Sequence, residues 1–234
     1  MKRFKHYLMM MFAVVAVIGC NPDDDDDNNN PNNSDDVFSE NFGSEVTRNF
    51  MGKIVDVNNE PIQNVAIKVG SKTAQTDVNG IFIIKDADVH QQFAYITAQK
   101  AGYLEGSRSL VPTNGSNQVK IMLLPADAIA TVASGEESEV ELPSGTKVTF
   151  DGSFEDAAGN PYSGSVSVSM YHLLPSNDNI SQIMPGMLYA QDENNDEAAL
   201  ETYGMLNVEL RGASGQKLQI AEGHKAEMSM LIDP

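Results

Sequence analysis

Tryptophan is absent from this chain, cysteine occurs once, and basic residues number 15 against 33 acidic ones. A single cysteine excludes an intramolecular disulfide. In an exported protein a lone thiol is a redox liability unless chemistry consumes it. The formal charge of −18 repels phosphate backbones and anionic lipid, which argues against nucleic acid as a partner. Long apolar patterns of helical period are missing too. Short alternating segments separated by Gly, Asn, Asp and Pro dominate instead, so the class is all-β.

The one unbroken apolar run is Leu8–Ile18, behind a basic start at Lys2, Arg3 and Lys5. Its 11 residues reach roughly 16 Å as a helix, about half of a ~30 Å hydrocarbon core. A basic start, a short apolar run and a small residue before a cleavage point define a secretory signal peptide, here residues 1–19. The sequence Val17-Ile18-Gly19-Cys20 resembles the lipobox of bacterial lipoproteins. That resemblance implies cleavage between Gly19 and Cys20 and acylation of Cys20, including palmitate. Thioether lipidation would consume the lone thiol. Two or three acyl chains, at about 0.8 kcal/mol per buried CH₂, hold a protein stably on a membrane.

Residues 20–45 read as the lipidated cysteine and a tether. Asp23 to Asp27 form an acidic run, and residues 21–36 offer no apolar side chain beyond two prolines. Such a segment cannot bury a core and is expected to be disordered. The acidic run directly behind the cysteine resembles the export signal of Bacteroidota lipoproteins, which implies an outer-membrane location facing the cell exterior. A plain solvated spacer, or a weak calcium sponge, is the other reading. Loss of residues 1–19 removes Lys2, Arg3 and Lys5 and takes the charge from −18 to −21.

A first β-sandwich is expected over residues 46–125. Phe50 to Val57 reads as a strand, and Asn58-Asn59-Glu60-Pro61 as a turn. Val65, Ile67 and Val69 alternate onto one buried face. Thr76-Asp77-Val78-Asn79-Gly80 reads as a tight hairpin turn, with Ile81 to Ile84 a mostly buried strand after it. Phe93, Tyr95 and Thr97 alternate next, Gly102-Tyr103 turns a corner, and Val119, Ile121 and Leu123 close the sheet. The series Gly52, Asp56, Pro61, Val65-x-Ile67-x-Val69, Thr76-Asp77-x-x-Gly80-x-Phe82 and Gly102-Tyr103 resembles the carboxypeptidase regulatory-like domain. The resemblance covers roughly 75 residues and implies a seven-strand transthyretin-like sandwich. Its matched residues are turn and core residues, so it implies a fold and an accessory or spacer role rather than a chemistry.

A second β-sandwich is expected over residues 126–234. Val140, Leu142, Val148 and Phe150 mark strands. Gly152, Asp156 and Pro161 repeat the spacing of Gly52, Asp56 and Pro61 at an offset of 100, which suggests a second strand–turn–strand of the same kind. Residues 185–220 resemble a β domain that accompanies the regulatory-like domain in secreted bacterial proteins and, more loosely, part of cartilage intermediate layer proteins. Ala226, Met228 and Met230 alternate inward near the end. Relatives of this domain continue with further strands, so the sequence reads as cut short, leaving an open edge strand.

No catalytic set emerges. His224-Lys225-Ala226-Glu227 has the HxxE spacing of a zinc site, but in a strand positions i and i+3 face opposite sides. His172 reads as a half-buried strand-end residue and His90 as part of a polar turn. No serine lies in a G-x-S-x-G elbow. Asp77-Val78-Asn79-Gly80 and Gln191 to Glu197 carry oxygen side chains that would suit calcium, with solvated turns as the plain alternative. The aromatic candidates for a glycan face are Tyr103, Tyr162, Tyr171, Tyr189 and Tyr203, most of them reading as core or corner. These residues describe a non-enzymatic, lipid-anchored envelope protein of two β-sandwich modules, a binding or assembly scaffold with no cofactor. Its partners would be the membrane through its anchor and a protein or glycan ligand. A glycan- or matrix-binding adhesin is the first alternative. The accessory N-terminal part of a longer secreted hydrolase is the second.

Overall fold

The computed structural model describes residues 41–191 and 196–232. Cys20, Gly19 and the acidic run Asp23 to Asp27 lie outside the described residues, as does most of the second acidic loop.

The first seven strands are β1 (Glu45–Val55), β2 (Ala66–Val69), β3 (Lys72–Gln75), β4 (Ile81–His90), β5 (Ala94–Gln99), β6 (Gly106–Leu110) and β7 (Ser116–Met122). They form two sheets, ordered β4-β1-β7 and β3-β2-β5-β6. Strict alternation explains the packing. Val65, Ile67 and Val69 turn inward and meet Phe50, Ile54, Phe82, Ile96 and Ile121 in one buried cluster. This is the sandwich the alternating segments predict. One expectation changes. The Thr76–Gly80 turn is tight, yet it joins β3 to β4, which lie in different sheets. It is a crossing between layers rather than a hairpin. In β5, where the alternation holds, Ala94, Ile96 and Ala98 are buried and Tyr95 is 46% exposed.

The remaining strands are β8 (Ala130–Ala133), β9 (Ser138–Glu141), β10 (Lys147–Phe150), β11 (Phe154–Asp156), β12 (Ser165–Leu173), β13 (Tyr189–Gln191), β14 (Glu197–Ala199), β15 (Met205–Gly212), β16 (Lys217–Ile220) and β17 (Ala226–Ser229). A short helical turn, α1 (Ile180–Ile183), follows β12. A five-stranded sheet, β11-β16-β15-β12-β8, packs on a three-stranded one, β17-β10-β9, around Val148, Phe150, Phe154, Val166, Val168 and Leu210. β13 and β14 pair as a separate ribbon.

The repeat at an offset of 100 is half real. Asp56 Oδ1 accepts the backbone N–H groups of Asn58 and Glu60, and Val55 bridges Pro61. Asp156 Oδ1 accepts those of Ala158 and Asn160, and Glu155 bridges Pro161. The two turns are one device used twice. The glycines are unrelated. Gly52 sits in β1, where an added Cβ would lie 2.5 Å from the Phe82 ring. Gly152 is needed at a bend with φ of +88°.

A third cluster joins the two sandwiches. Leu104 and Leu124 from the first meet Leu173 from the second, with Ile180 and Ile183 of α1 beside them. Polar contacts reinforce the seam. Arg108 donates to the Ser181 carbonyl, Ser109 N donates to Pro185 O at 2.9 Å, and Lys217 pairs with Glu105 at 3.2 Å. Burial at the seam lowers the pKa of Arg108 below the ordinary guanidinium value.

Candidate functional site

The outer face of β3-β2-β5-β6 does not meet open water everywhere. It is overhung by β15 and β16, and three clefts converge there on Glu105. The cleft over β5 holds about 500 Å³ and is bounded by Lys68, Asp88, His90, Phe93, Tyr95 and Gln99. Its neighbour holds about 420 Å³ between Tyr103 and Lys100 on one side and Glu209, Arg211 and Lys217 on the other.

Strand parity builds the site. In the pairing of β5 with β6, Tyr95 stands opposite Ser109 and Thr97 opposite Ser107; in that with β2, Thr97 stands opposite Lys68. Directly opposed residues share a face, so one outward row carries an aromatic ring, hydroxyls, an amide and a lysine. Phe93 stacks on Tyr95 with ring centres 6.3 Å apart and planes 8° apart. Phe42 packs against Phe93 with ring centres 4.7 Å apart. At the centre, Glu105 Oε2 accepts from Gln99 Nε2 at 2.6 Å and from Lys217 Nζ at 3.2 Å. The Arg211 Nε donates to Glu209 Oε1 at 2.7 Å and holds that carboxylate at the rim. Apolar ring faces beside fixed donors and acceptors suit a neutral, hydroxyl-rich ligand held by stacking and hydrogen bonds.

The residues singled out from the sequence fall elsewhere. His224 precedes β17 and pairs with Asp151 at 2.7 Å; Glu227 faces away on the outer side of the sheet. The Asp151 carboxyl lies below its ordinary pKa because it accepts Ser153 N–H, with His224 adding to the effect. His172 is half-buried at the end of β12, its Nδ1 2.9 Å from Thr146 Oγ1. His90 ends β4 rather than lying in a turn, with Nδ1 2.8 Å from the Gly43 carbonyl. Asp77 Oδ1 is occupied by the N–H groups of Asn79 and Ile81. Among the described residues no three His, Cys, Asp or Glu side chains converge as a metal site.

The tyrosines divide in the same way. Tyr103 packs on the first core, Tyr162 on the second and Tyr171 on the seam. Tyr162 also donates to Ser165 O and accepts from Ala213 N. Tyr203 is 54% exposed and bonds Glu201, and Tyr189 lies in β13. Tyr95, the exposed ring of the stacked pair, is not among them. Its signal was present in the Phe93-x-Tyr95 alternation, which places two rings on one side of a strand.

No family model matches the chain. Among curated proteins it is similar to human cartilage intermediate layer protein 2, 27% identical over 182 residues. The match takes in 72% of this chain and 16% of that protein, so the chain spans less than a fifth of its relative. Among solved structures it is similar to part of a type II cohesin–X-dockerin complex from Acetivibrio cellulolyticus, at 22% identity and a TM-score of 0.29 over 34% of this chain and 59% of that one. A Bacteroides uniformis protein described as a candidate carbohydrate binder overlaps at 9% identity and a TM-score of 0.29, covering 79% of this chain and 99% of that one. A streptococcal ancillary pilin overlaps at 11% identity and a TM-score of 0.28, over 67% and 59%.

Proposed function

We propose that this chain is a non-enzymatic, lipid-anchored protein of the bacterial outer membrane, displayed on the cell exterior as a binding or assembly scaffold. The anchor and the address rest on Cys20 behind Val17-Ile18-Gly19 and on Asp23 to Asp27. The binding role rests on one observation, the groove on the outer face of the first sandwich where Phe93 and Tyr95 stack and Glu105 lines the wall. Intact-mass analysis of the native protein from its membrane fraction tests the anchor. A chain beginning at acylated Cys20 is the expected result, and Cys20→Ala should leave the membrane fraction. Protease treatment of intact cells should release the sandwiches; full protection would overturn surface display.

The stacked pair favours a glycan as the ligand. Loss of one stacking ring costs roughly 1 kcal/mol, or about fivefold to tenfold in affinity. Tyr95→Ala should therefore weaken retention on the glycan that the native protein selects from an array, while Tyr203→Ala leaves it unchanged. Equal loss from both variants would remove the groove from the account.

A further inference from the structure

Basic residues are scarce in this chain, 15 against 33 acidic ones, yet three of them share one sheet face. β1 is the central strand of the sheet β4-β1-β7. Phe50, Ile54, Phe82, Ile84 and Ile121 are buried beneath it, so strand parity turns the residues between them outward. Register sets these in rows. Ile81, Lys53 and Lys120 stand side by side, and Ile83, Met51 and Gln118 form the next row. Lys85 lies two places beyond Ile83 along β4 and is exposed. Lys53 and Lys120 are directly opposed on strands about 4.8 Å apart, and like charges so placed cost stability. Among the described residues neither they nor Lys85 forms an ion pair. Lys120 Nζ donates instead to the side-chain oxygen of Asn59 at 2.8 Å. Lysines on edge strands discourage aggregation, which accounts for Lys85 and Lys120 but not for Lys53 on the central strand. Between the two ends of this lysine set, Ile83 is 59% exposed.

We propose that this face docks an acidic segment of a protein partner, with one or two apolar residues at its centre and carboxylates on both sides. The carboxylates follow from the opposed lysines, whose repulsion an incoming negative charge relieves. The apolar centre follows from Ile83 and Met51, since an apolar middle inside a charged rim is the anatomy of a protein interface. A polyanionic glycan would satisfy the lysines and leave Ile83 uncovered. An anionic membrane is opposed by the charge of −18. The chain's own leading segments do not fit. Residues 21–36 lack apolar side chains apart from proline. Val37 and Phe38 are apolar, but Phe42 O accepts Gln92 N–H at 2.9 Å and ties that part of the chain beyond the end of β4. Phe38 is four residues from Phe42, a reach of about 14 Å, whereas Ile83 lies seven residues back from His90, roughly 23 Å. A second copy would meet the face with the same lysines in a two-fold contact. The face lies on the opposite side of the first sandwich from the Phe93–Tyr95 groove, and the proposal does not depend on that groove.

The full chain is titrated with three probes: the peptide DDEILEDD, its polar-centred counterpart DDESSEDD, and a heparin fragment. DDEILEDD should bind at least about tenfold more tightly than DDESSEDD. It should also shield Lys53, Lys85 and Lys120 from acetylation while leaving Lys72, on the other sheet, reactive. That shielding is read on the native chain and needs no variant. Lys53→Glu combined with Lys120→Glu, with the fold checked by circular dichroism, should abolish binding; Lys72→Glu should leave it unchanged. Ile83→Ser should erase the preference for the apolar centre. Equal binding of the two peptides, or no saturable binding below about 1 mM, overturns the proposal. Tighter binding of heparin that the double variant abolishes overturns it in favour of an anionic glycan. A dimer in sedimentation that the double variant dissolves overturns it in favour of a second copy.

Discussion

At the scale of single residues, three aspartates do the same work. Asp56, Asp77 and Asp156 each fold a carboxylate back onto two N–H groups in the next turn. Asp156 also accepts from the Asn160 side chain at 3.0 Å, and this bond, ahead of the two backbone N–H groups, holds its pKa below the ordinary value. The sign follows from linkage. A depressed folded pKa contributes stability that is present above the unfolded carboxylate value of about 3.9 and is lost as pH falls through the folded value. Asp156→Asn keeps the shape and removes the ionisation. Urea midpoints measured from about pH 6 to about pH 2.5 should show the native chain ahead at the upper end and the gap closing at the lower end. A gap that stays constant with pH would remove the carboxylate from the explanation.

At the scale of elements, the two turns that leave β1 and β3 are stitched together by one buried hydroxyl. Thr76 is 2% exposed; its Oγ1 donates to Ile62 O at 2.7 Å and accepts from Val65 N at 2.9 Å. Thr76→Val keeps the volume and orphans a buried N–H and a carbonyl, at a cost of about 1–3 kcal/mol. Chemical denaturation should show that loss; a change under about 0.5 kcal/mol would mean water replaces the hydroxyl. This is also the scale at which the sequence was most and least readable. Strands with one apolar parity, such as Val65-x-Ile67-x-Val69, were legible because only one face can be buried. In β5 the alternation of Phe93, Tyr95 and Thr97 was legible but not which face is buried, since both faces carry apolar residues and Ala94, Ile96 and Ala98 fill the interior. The layer crossing at Thr76–Gly80 was hidden because a tight turn fixes local direction and leaves the choice of sheet to distant partners. The groove was invisible for a related reason. The cleft over β5 is lined by residues of β2, β4 and β5 that only sheet pairing brings together, and its neighbour by β5 and β16, more than a hundred residues apart.

At the scale of the molecule, the Leu104–Leu124–Leu173 cluster decides whether the two sandwiches act as one body. Leu173 is 4% exposed, and Leu173→Ala removes methyl groups from a seam with contributions from both sides. The expected cost is about 2–5 kcal/mol. Calorimetry should resolve the native transition into two in this variant, one for each core. A single transition shifted as a whole would assign Leu173 to the second core alone. The Glu105–Lys217 pair across the same junction is partly exposed and contributes little by itself, about 0–1 kcal/mol.

The place of β1 in its sheet has a mechanical meaning. It is the central strand, parallel to β7 over residues 49–55 and antiparallel to β4 over residues 45–53. A chain held by its N-terminal end and dragged by whatever its far side grips would carry the load along the axis of β1. Both ladders then resist together, all rungs sharing the force, rather than opening one at a time from an edge. Under tension survival depends on the rate of rupture rather than on equilibrium stability, and an attachment point in mid-sheet makes that rupture slow.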